Sequence, residues 1–583
     1  MSHKPGDLYL GLDLSTQSLD AVVIDLEDAA ESVCEATVNF DEELPTYGTR
    51  NGFIYDAGTK CAVAPALMFA DALDLVFEKL RQAQCPFEHI RAVSSSAQQH
   101  GAVYWRRPLH LPATAEASQR RLVTFLQEPD SALAVPNSPI WADASTTRQC
   151  RAIEAVFPGG AMQLALVAGS RAYERYTAAQ VVKLAQSQPE VYHQVQRIQV
   201  ISAFVTSLLR GAWCAEDVAD ASGTLWLDIH SLPPSWSEDA LRATEEAAGV
   251  AYGTLREKLA PAPVLSATIA GRIAPYFCRR FGFRPDCMIV TGTGDNPSSA
   301  AGLAMRLDDI CISLGTSDTA FGRARACQPQ LYGHVFRSSL DASAYMPILV
   351  FSNGSLTRER IRGPTHTWED FDRSLERTSA GNQGLVGFVT FVDEILPRLP
   401  AGLMRFARVL TPKTESTATK PTIEWLKPDQ VESHDAVVRA VVEQRALAIR
   451  LHGERIGLPM PPRRILLTGG ASQSRGIQQV MADVLGAPVY ILERAKKLPG
   501  ARTEVWNSAA RGAALRAAYV QLGVQQEFAD WCIGIDTVRY RLVADASLEA
   551  HERFTTVMLP AYARVEARLC EELVAESSPD ALS

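Results

Sequence analysis

A chain of 583 residues is longer than one hydrophobic core organises, so two or more large domains are expected. Apolar residues make up 47% and charged residues 21%, an ordinary globular balance, and a net charge of −9 removes nucleic acid as the default partner, since a phosphate backbone needs a basic surface. Eleven cysteines without a Cys-x-x-Cys pair speak against a disulfide framework or structural zinc, and apolar runs broken by Arg, Asp or Gly against a membrane span.

The first region opens with three strand-like segments, Tyr9–Leu14, Ala21–Leu26 and Val33–Phe40. The first two flank the turn Ser15-Thr16-Gln17-Ser18, and Asp13 stands where an apolar strand residue is expected. Helical spacing runs over Cys61–Arg81. A strand at Ile90–Ser95 then enters the polar turn "SSSAQQHG". Pro108–Asn137 is charged and weakly periodic, and reads as an insertion or surface loop. Helices follow near Ala178–Ser187 and Ser202–Leu209. Met288–Thr291 is a short strand leading into "GTGDNPSSAAGLA", where Asn296 suits a helix cap and Pro297 the first helical position.

Asp309–Leu314, the turn "GTSDT" and Ala320–Ala324 repeat the opening pattern of strand, small polar turn and strand. This suggests an internal duplication with a boundary near residue 303, giving domains 1–303 and 304–583. Farther on come a long helix, Asp435–Ile456, a strand, Arg464–Thr468, and the pair Gly469-Gly470. A helix at Gly476–Leu485, a strand at Pro488–Leu492 and a basic loop at Glu493–Val505 precede the small-residue helix Ser508–Leu522, while Glu571–Ser583 reads as a frayed tail. Strands and helices alternate in both halves, so the fold class is α/β. The polar stretch Met1–Leu8 carries no signal core, and the expected location is cytoplasmic.

Phosphate oxygens need donors that approach closely, which tight turns of small and hydroxyl residues supply. Thr16 and Gln17 in the first half, and Gly315 and Thr316 in the second, meet that demand. Asp13 could hold Mg²⁺, which favours one or two carboxylates plus phosphate oxygens. Gly469 and Gly470 let a ligand pass close to the backbone, next to a helix N-terminus that favours anions. There is no P-loop, and no G-x-G-x-x-G at the first strand–helix turn.

As an ordered set, "GLDLSTQS", "GTGDNPSSAAG", "SLGTSD" and "LTGGASQS" resemble the signature segments of the FGGY carbohydrate kinases, from Leu8 to about Tyr562. "AQQHGAVYW", "PIWADASTTRQC", "GSRAYERYT" and "FSNGSLTRERIR" narrow the likeness to the branch acting on D-xylulose. The resemblance implies two ribonuclease-H-like domains of the actin and hexokinase type around a cleft. It implies ATP and Mg²⁺ as donor and metal, a small-molecule sugar as acceptor, and a monomer or homodimer.

The resemblance also makes Asp295 the base for the sugar hydroxyl, and surrounds the sugar with His100, Arg171, Asp295, Asn296 and Gln99, with Trp141 or Asp143 nearby. On the nucleotide side it places Gly469, Gly470, Gln473 and Trp368, and Thr316 with Gly315 on the phosphates. Each residue has a plainer reading. Asp295 could belong to a helix cap, Arg171 could pair with Glu174, Asp143 could cap "STTRQC", and Trp368 could be a buried aromatic. The extra length about Lys496–Val505 puts nucleotide contacts there in question. A kinase of ribulose, glycerol or a seven-carbon ketose, and a non-catalytic actin-like protein, remain the alternatives.

Overall fold

The architecture comes from a computed structural model, which describes residues 6–27, 32–410, 422–493, 507–535 and 538–576. Two mixed sheets dominate it. The first contains β1 (Leu8–Leu14), β2 (Ser18–Asp25), β3 (Ser32–Asn39), β4 (Ile90–Ala97), β5 (Ile269–Arg272) and β6 (Met288–Gly294), in the order β5-β6-β4-β1-β2-β3. The second contains β7 (Asp309–Leu314), β8 (Asp318–Gly322), β9 (His334–Arg337), β10 (Tyr345–Phe351), β11 (Arg464–Thr468), β12 (Val489–Glu493) and β13 (Arg539–Ala544), in the order β9-β10-β8-β7-β11-β12-β13.

The duplication expected from the two polar turns is present in the topology. β3, β2 and β1 are antiparallel neighbours, then β4 and β6 continue parallel to β1. β10, β8 and β7 are likewise antiparallel, and β11 and β12 follow parallel. In both sheets the polar turn after the first strand lies at the carboxyl ends of the parallel strands, where open α/β sheets bind ligands.

Helices cover the sheets: α1 (Ala66–Gln82), α2 (Thr147–Val156), α3 (Thr177–Ser187), α4 (Ile201–Arg210), α5 (Asp295–Gly302), α6 (Trp368–Arg377), α7 (His434–Ile456), α8 (Arg475–Leu485), α9 (Ser508–Leu522) and α10 (Leu559–Glu576). None of the described helices is long and apolar enough to cross a membrane.

Three local expectations change. Residues Cys61–Pro65 form a strand between Ile54–Asp56 and Asn137–Pro139, and α1 begins only after Pro65, whose fixed φ suits a helix boundary. The segment 108–137, expected to be an insertion or surface loop, is largely at the surface but is ordered and anchored in the core. It carries helices Ala115–Gln119 and Leu122–Gln127, and Leu109, Leu122, Leu126 and Leu133 enter the first core, too irregularly spaced to show a period. The tail stays helical to Glu576, where Arg405 reaches Glu572 at 3.2 Å and Glu576 at 2.8 Å. Of the expected basic loop Glu493–Val505, all but Glu493 lies outside the described residues.

α9 is the late small-residue helix, and it packs far back in sequence. A Cβ on Gly11 of β1 would lie 1.8 Å from Ala510 O, and one on Gly512 only 1.9 Å from Ser298 O of α5. Backbone therefore rests on backbone on both sides of α9. Arg516, buried in the same helix, donates to Ser266 O at 2.7 Å and to Thr291 O of β6 at 2.8 Å. Since Ser298 O cannot swing aside, Gly512→Ala is expected to lose roughly 1–3 kcal/mol in chemical denaturation. Gly534→Ala, which faces open space, should stay within about 0.5 kcal/mol of the parent.

Candidate active site

β1, β4 and β6 end side by side. Asp13 pairs in register with Ser96, and Ser96 with Thr293. Asp13 Oδ1 accepts from Ser96 Oγ at 2.7 Å, and Oδ2 accepts from Asn507 Nδ2 at 3.2 Å. Asn507 Nδ2 also reaches Asp20 Oδ2 at 3.1 Å, while its Oδ1 caps α9 at Ala510 N. One carboxamide thus fixes the start of α9 to two carboxylates of the first sheet.

Asp295 begins α5. Gly294 is the N-cap, so Asn296 and Pro297 stand second and third in the helix rather than as cap and first residue. Asp295 Oδ1 accepts from Asn296 N at 2.8 Å and Nδ2 at 3.1 Å, and Asn296 Nδ2 donates to Gln99 Oε1 at 3.0 Å. Among the described residues, no Arg or Lys forms an ion pair with Asp13, Asp20 or Asp295. Burial, with Asp13 adding repulsion, pushes Asp295 up to about 7. Burial also raises Asp13 to about 6, against the Ser96 bond and with Asp20 adding to the rise. Behind Gln99, the buried Asp220 is raised well above the carboxylate range by burial and by Asp217.

His100 sits at φ 71°, with its ring stacked on Tyr176 at 4.6 Å and its edge against Phe336. Burial and the Arg175 cation pull its pKa down to about 3, so the ring is neutral. The neutral ring can donate only through one nitrogen. Gly223 O lies 3.1 Å from Nδ1, which makes Nδ1 the donor and leaves Nε2 as an acceptor. Arg171, five residues before Tyr176, does not pair with Glu174. It forms a two-pronged bridge at 2.8 Å to Glu154 of α2. None of its hydrogen bonds joins it to Asp295 or His100. Asp143 is engaged within the protein, accepting from Ala62 N, Ser145 N and Gln180 Nε2. It does not cap α2, whose N-cap is Thr146 with no side-chain cap bond, because its oxygens are taken by Ala62, Ser145 and Gln180 before the helix starts. Trp141 is exposed and donates to Thr16 Oγ1 at 2.8 Å, while Gln17 is exposed on the turn.

In the second lobe, the Gly315-Thr316 turn has its carbonyls held from behind. Gly315 O accepts from Ser355 N at 2.8 Å and Arg358 Nη2 at 3.2 Å, and Thr316 O accepts from Gly354 N at 3.2 Å. Because a trans peptide sets N–H opposite C=O, the amides of Thr316 and Ser317 point the other way. Arg358 is itself gripped by the buried Asp318, which lies 3.4 Å from Arg445, and Arg445 pairs with Glu394 at 2.9 Å. The segment "FSNGSLTRERIR" thus serves as the support of a phosphate-type turn.

Gly469, at φ 83°, packs its Cα against Leu314 O, whereas a Cβ on Gly470 would meet nothing within 4 Å. Gln473 is exposed beside them. The helix N-terminus expected to draw anions is taken: Asp372 of α6 accepts from Arg475 N at 3.3 Å and Gly476 N at 3.2 Å, and from Ser474 Oγ. Trp368 lies one turn before Asp372 and is 42% exposed, which removes the buried-aromatic reading.

Sequence reasoning missed Ser96, Asn507, Asp220, Asp318 and Arg358. Ser96 lies inside a quoted motif, but its bond to Asp13 depends on a parallel register that no local pattern reveals.

Asp13 fits a site for Mg²⁺. Its carboxylate lacks a cationic partner among the described residues, and no three His, Cys, Asp or Glu side chains there form a cage. That suits an ion held mostly by phosphate oxygens and water. The raised carboxylate of Asp295 has a stability signature. A folded-state pKa above the unfolded value makes native stability fall as pH rises from about 4 toward 7. Asp295→Asn should melt a few degrees above the parent at pH 8, with the gain shrinking toward pH 5, as scanning calorimetry of the ligand-free protein would register.

Family models match most of the chain. The N-terminal domain of the FGGY family of carbohydrate kinases matches residues 109–302, and its C-terminal domain matches 310–520. The chain is 41% identical over 525 residues to xylulose kinase 2 of Arabidopsis thaliana, covering 89% of this chain and 88% of that one. It is 39% identical over 487 residues to a xylulose kinase of Rattus norvegicus, covering 83% and 85%. Its fold superposes on a ligand-bound xylulose kinase from Lactobacillus acidophilus with a TM-score of 0.73 at 18% identity, covering 99% and 100%. A Plasmodium falciparum glycerol kinase with ADP gives 0.68 at 13%, covering 96% and 98%. With a duplicated fold, paired polar turns and family models spanning most of its length, this chain belongs to the FGGY family of carbohydrate kinases.

Proposed function

We propose that the protein transfers the γ-phosphoryl group of ATP to the terminal hydroxyl of D-xylulose, giving D-xylulose 5-phosphate. One observation carries the chemistry: Asp295, a carboxylate without a cationic partner among the described residues, opens a helix beside the polar turn of the first sheet. The substrate is supported by the relatives named xylulose kinase, which match most of this chain.

In this reading residues 1–303 hold the sugar and 304–583 hold ATP, although Phe336 and His334 of the second part pack against His100. Asp295 takes the proton of the attacking hydroxyl through a carboxylate whose pKa near 7 suits a base at neutral pH. Asn296 and Gln99, already bonded to each other, orient that carboxylate and offer polar contacts to the sugar. His100 accepts a sugar hydroxyl at Nε2, and Arg171, steadied by Glu154, donates to another. Thr16 and Gln17 face the phosphates from one side, and Gly315 and Thr316 from the other. Gly469, Gly470 and Gln473 line the adenosine side, with Trp368 beside them. Mg²⁺, held through Asp13, supplies charge neutralisation on the phosphates. Closure of the two parts over the sugar excludes water and limits ATP hydrolysis.

An ADP-release assay with a panel of sugars tests the reading. D-Xylulose should support turnover, and Asp295→Ala should lower kcat by about 10²–10⁴ while calorimetric sugar binding survives. Turnover with ribulose, glycerol or a seven-carbon ketose alone would replace the substrate. ATP binding without sugar-dependent turnover would replace the enzyme with an actin-like binding protein. A second variant probes the sugar side: a Cβ at Gly223 would lie 2.8 Å from His100 Nδ1. Gly223→Ala should therefore raise KM for D-xylulose about tenfold, by analogy with the loss of one site hydrogen bond, with a smaller change in KM for ATP.

A further inference from the structure

One buried side chain at the carboxyl ends of β1, β4 and β6 has no role in the account above. β4 is flanked by β1 and β6, with Leu14 and Gly294 both in register with Ala97. The next residue of each strand is Ser15, Gln98 and Asp295. Gln98 N donates to Leu14 O at 2.8 Å, which extends the ladder one step past the strand end. Alternation separates the two glutamines. Gln99 lies on the Gly294 side, since a Cβ there would sit 2.5 Å from Gln99 Cγ. Gln98 falls on the face of Ser96 and Asp13.

Gln98 is only 1% exposed, yet neither Oε1 nor Nε2 has a hydrogen-bond partner among the described residues. Of its neighbours, Ser96 donates to Asp13, and Gln99 accepts from Asn296 through Oε1 alone. Buried amides are nearly always bonded, so an orphan one at the end of β4, next in line to Ser15 and Asp295, needs a partner from outside the protein, and an incoming substrate oxygen is one that the site would bring to it. An anionic phosphoryl group brought up to Asp295 meets repulsion from that carboxylate, while Mg²⁺ held through Asp13 would offset that of the other. A neutral donor in line with Asp295 offers a positive dipole without trapping the product by charge, and donors aimed at developing charge are the main lever in phosphoryl transfer.

We propose that Gln98 is a further catalytic residue, whose Nε2 donates to an oxygen of the phosphoryl group as it passes to the sugar. This rests on the kinase reading given above. The near-isosteric Gln98→Met removes the donor and keeps the volume. Its kcat should fall about 10²-fold, in the range seen when a single oxyanion donor is lost, while KM for both substrates stays within about threefold. Its melting temperature should hold or rise, because an unpaired buried amide is gone. Gln98→Glu, which keeps the shape but replaces the donor with an acceptor, should lose at least as much kcat. Two results would overturn the assignment: kcat of Gln98→Met within threefold of the parent, or lost ligand binding and a lowered melting temperature in both variants, which mark a purely structural side chain. The unmodified protein assayed alongside separates the two claims, since its inactivity toward every sugar would remove the kinase reading itself.

Discussion

Parallel register is the constraint on which the site depends. Backbone hydrogen bonds between β1, β4 and β6 decide that Asp13 lies beside Ser96 and that Asp295 begins a helix within the same layer. No side chain needs to seek its partner over a long distance, because the ladder delivers each to its place. The cost is electrostatic. Two carboxylates are brought close, partly desolvated and without a guanidinium or ammonium partner among the described residues, an arrangement that stability alone would disfavour.

The two lobes share a topology but use it differently. In the first, the polar turn is followed by a carboxylate network tied to the start of α9 through Asn507. In the second, the equivalent turn is braced by a buried chain of alternating charge, Arg358, Asp318, Arg445 and Glu394. One lobe presents groups that can act on a hydroxyl. The other presents backbone amides held stiff from behind, which suits grip more than chemistry. Duplication supplied the frame, and charge placement made the halves unequal.

Much of this was legible in the sequence because it is local. The strand-turn-strand pattern around Ser15–Ser18 and Gly315–Ser317, the helix after Asp295 and the small-residue helix Ser508–Leu522 all carry their signals within short contiguous stretches. The set of motifs then identified the family. What stayed hidden was non-local. Glu154, rather than Glu174, holds Arg171, and it belongs to a helix folded back against that loop. Asp372 fills the N-terminus of α8 from another helix entirely. The anchoring of 108–137 by a few buried side chains beside α1 is something that irregularly spaced leucines do not announce.

The packing of α9 bears on how the molecule is made. Tyr9 hydroxyl bonds to Gln521, 512 residues away, and Gly11 rests on Ala510. At ribosomal speed the first strand therefore waits roughly half a minute to two minutes for its covering helix. During that interval the nascent amino-terminal half carries an uncovered apolar seam, and its maturation is tied to completion of the whole polypeptide rather than proceeding lobe by lobe.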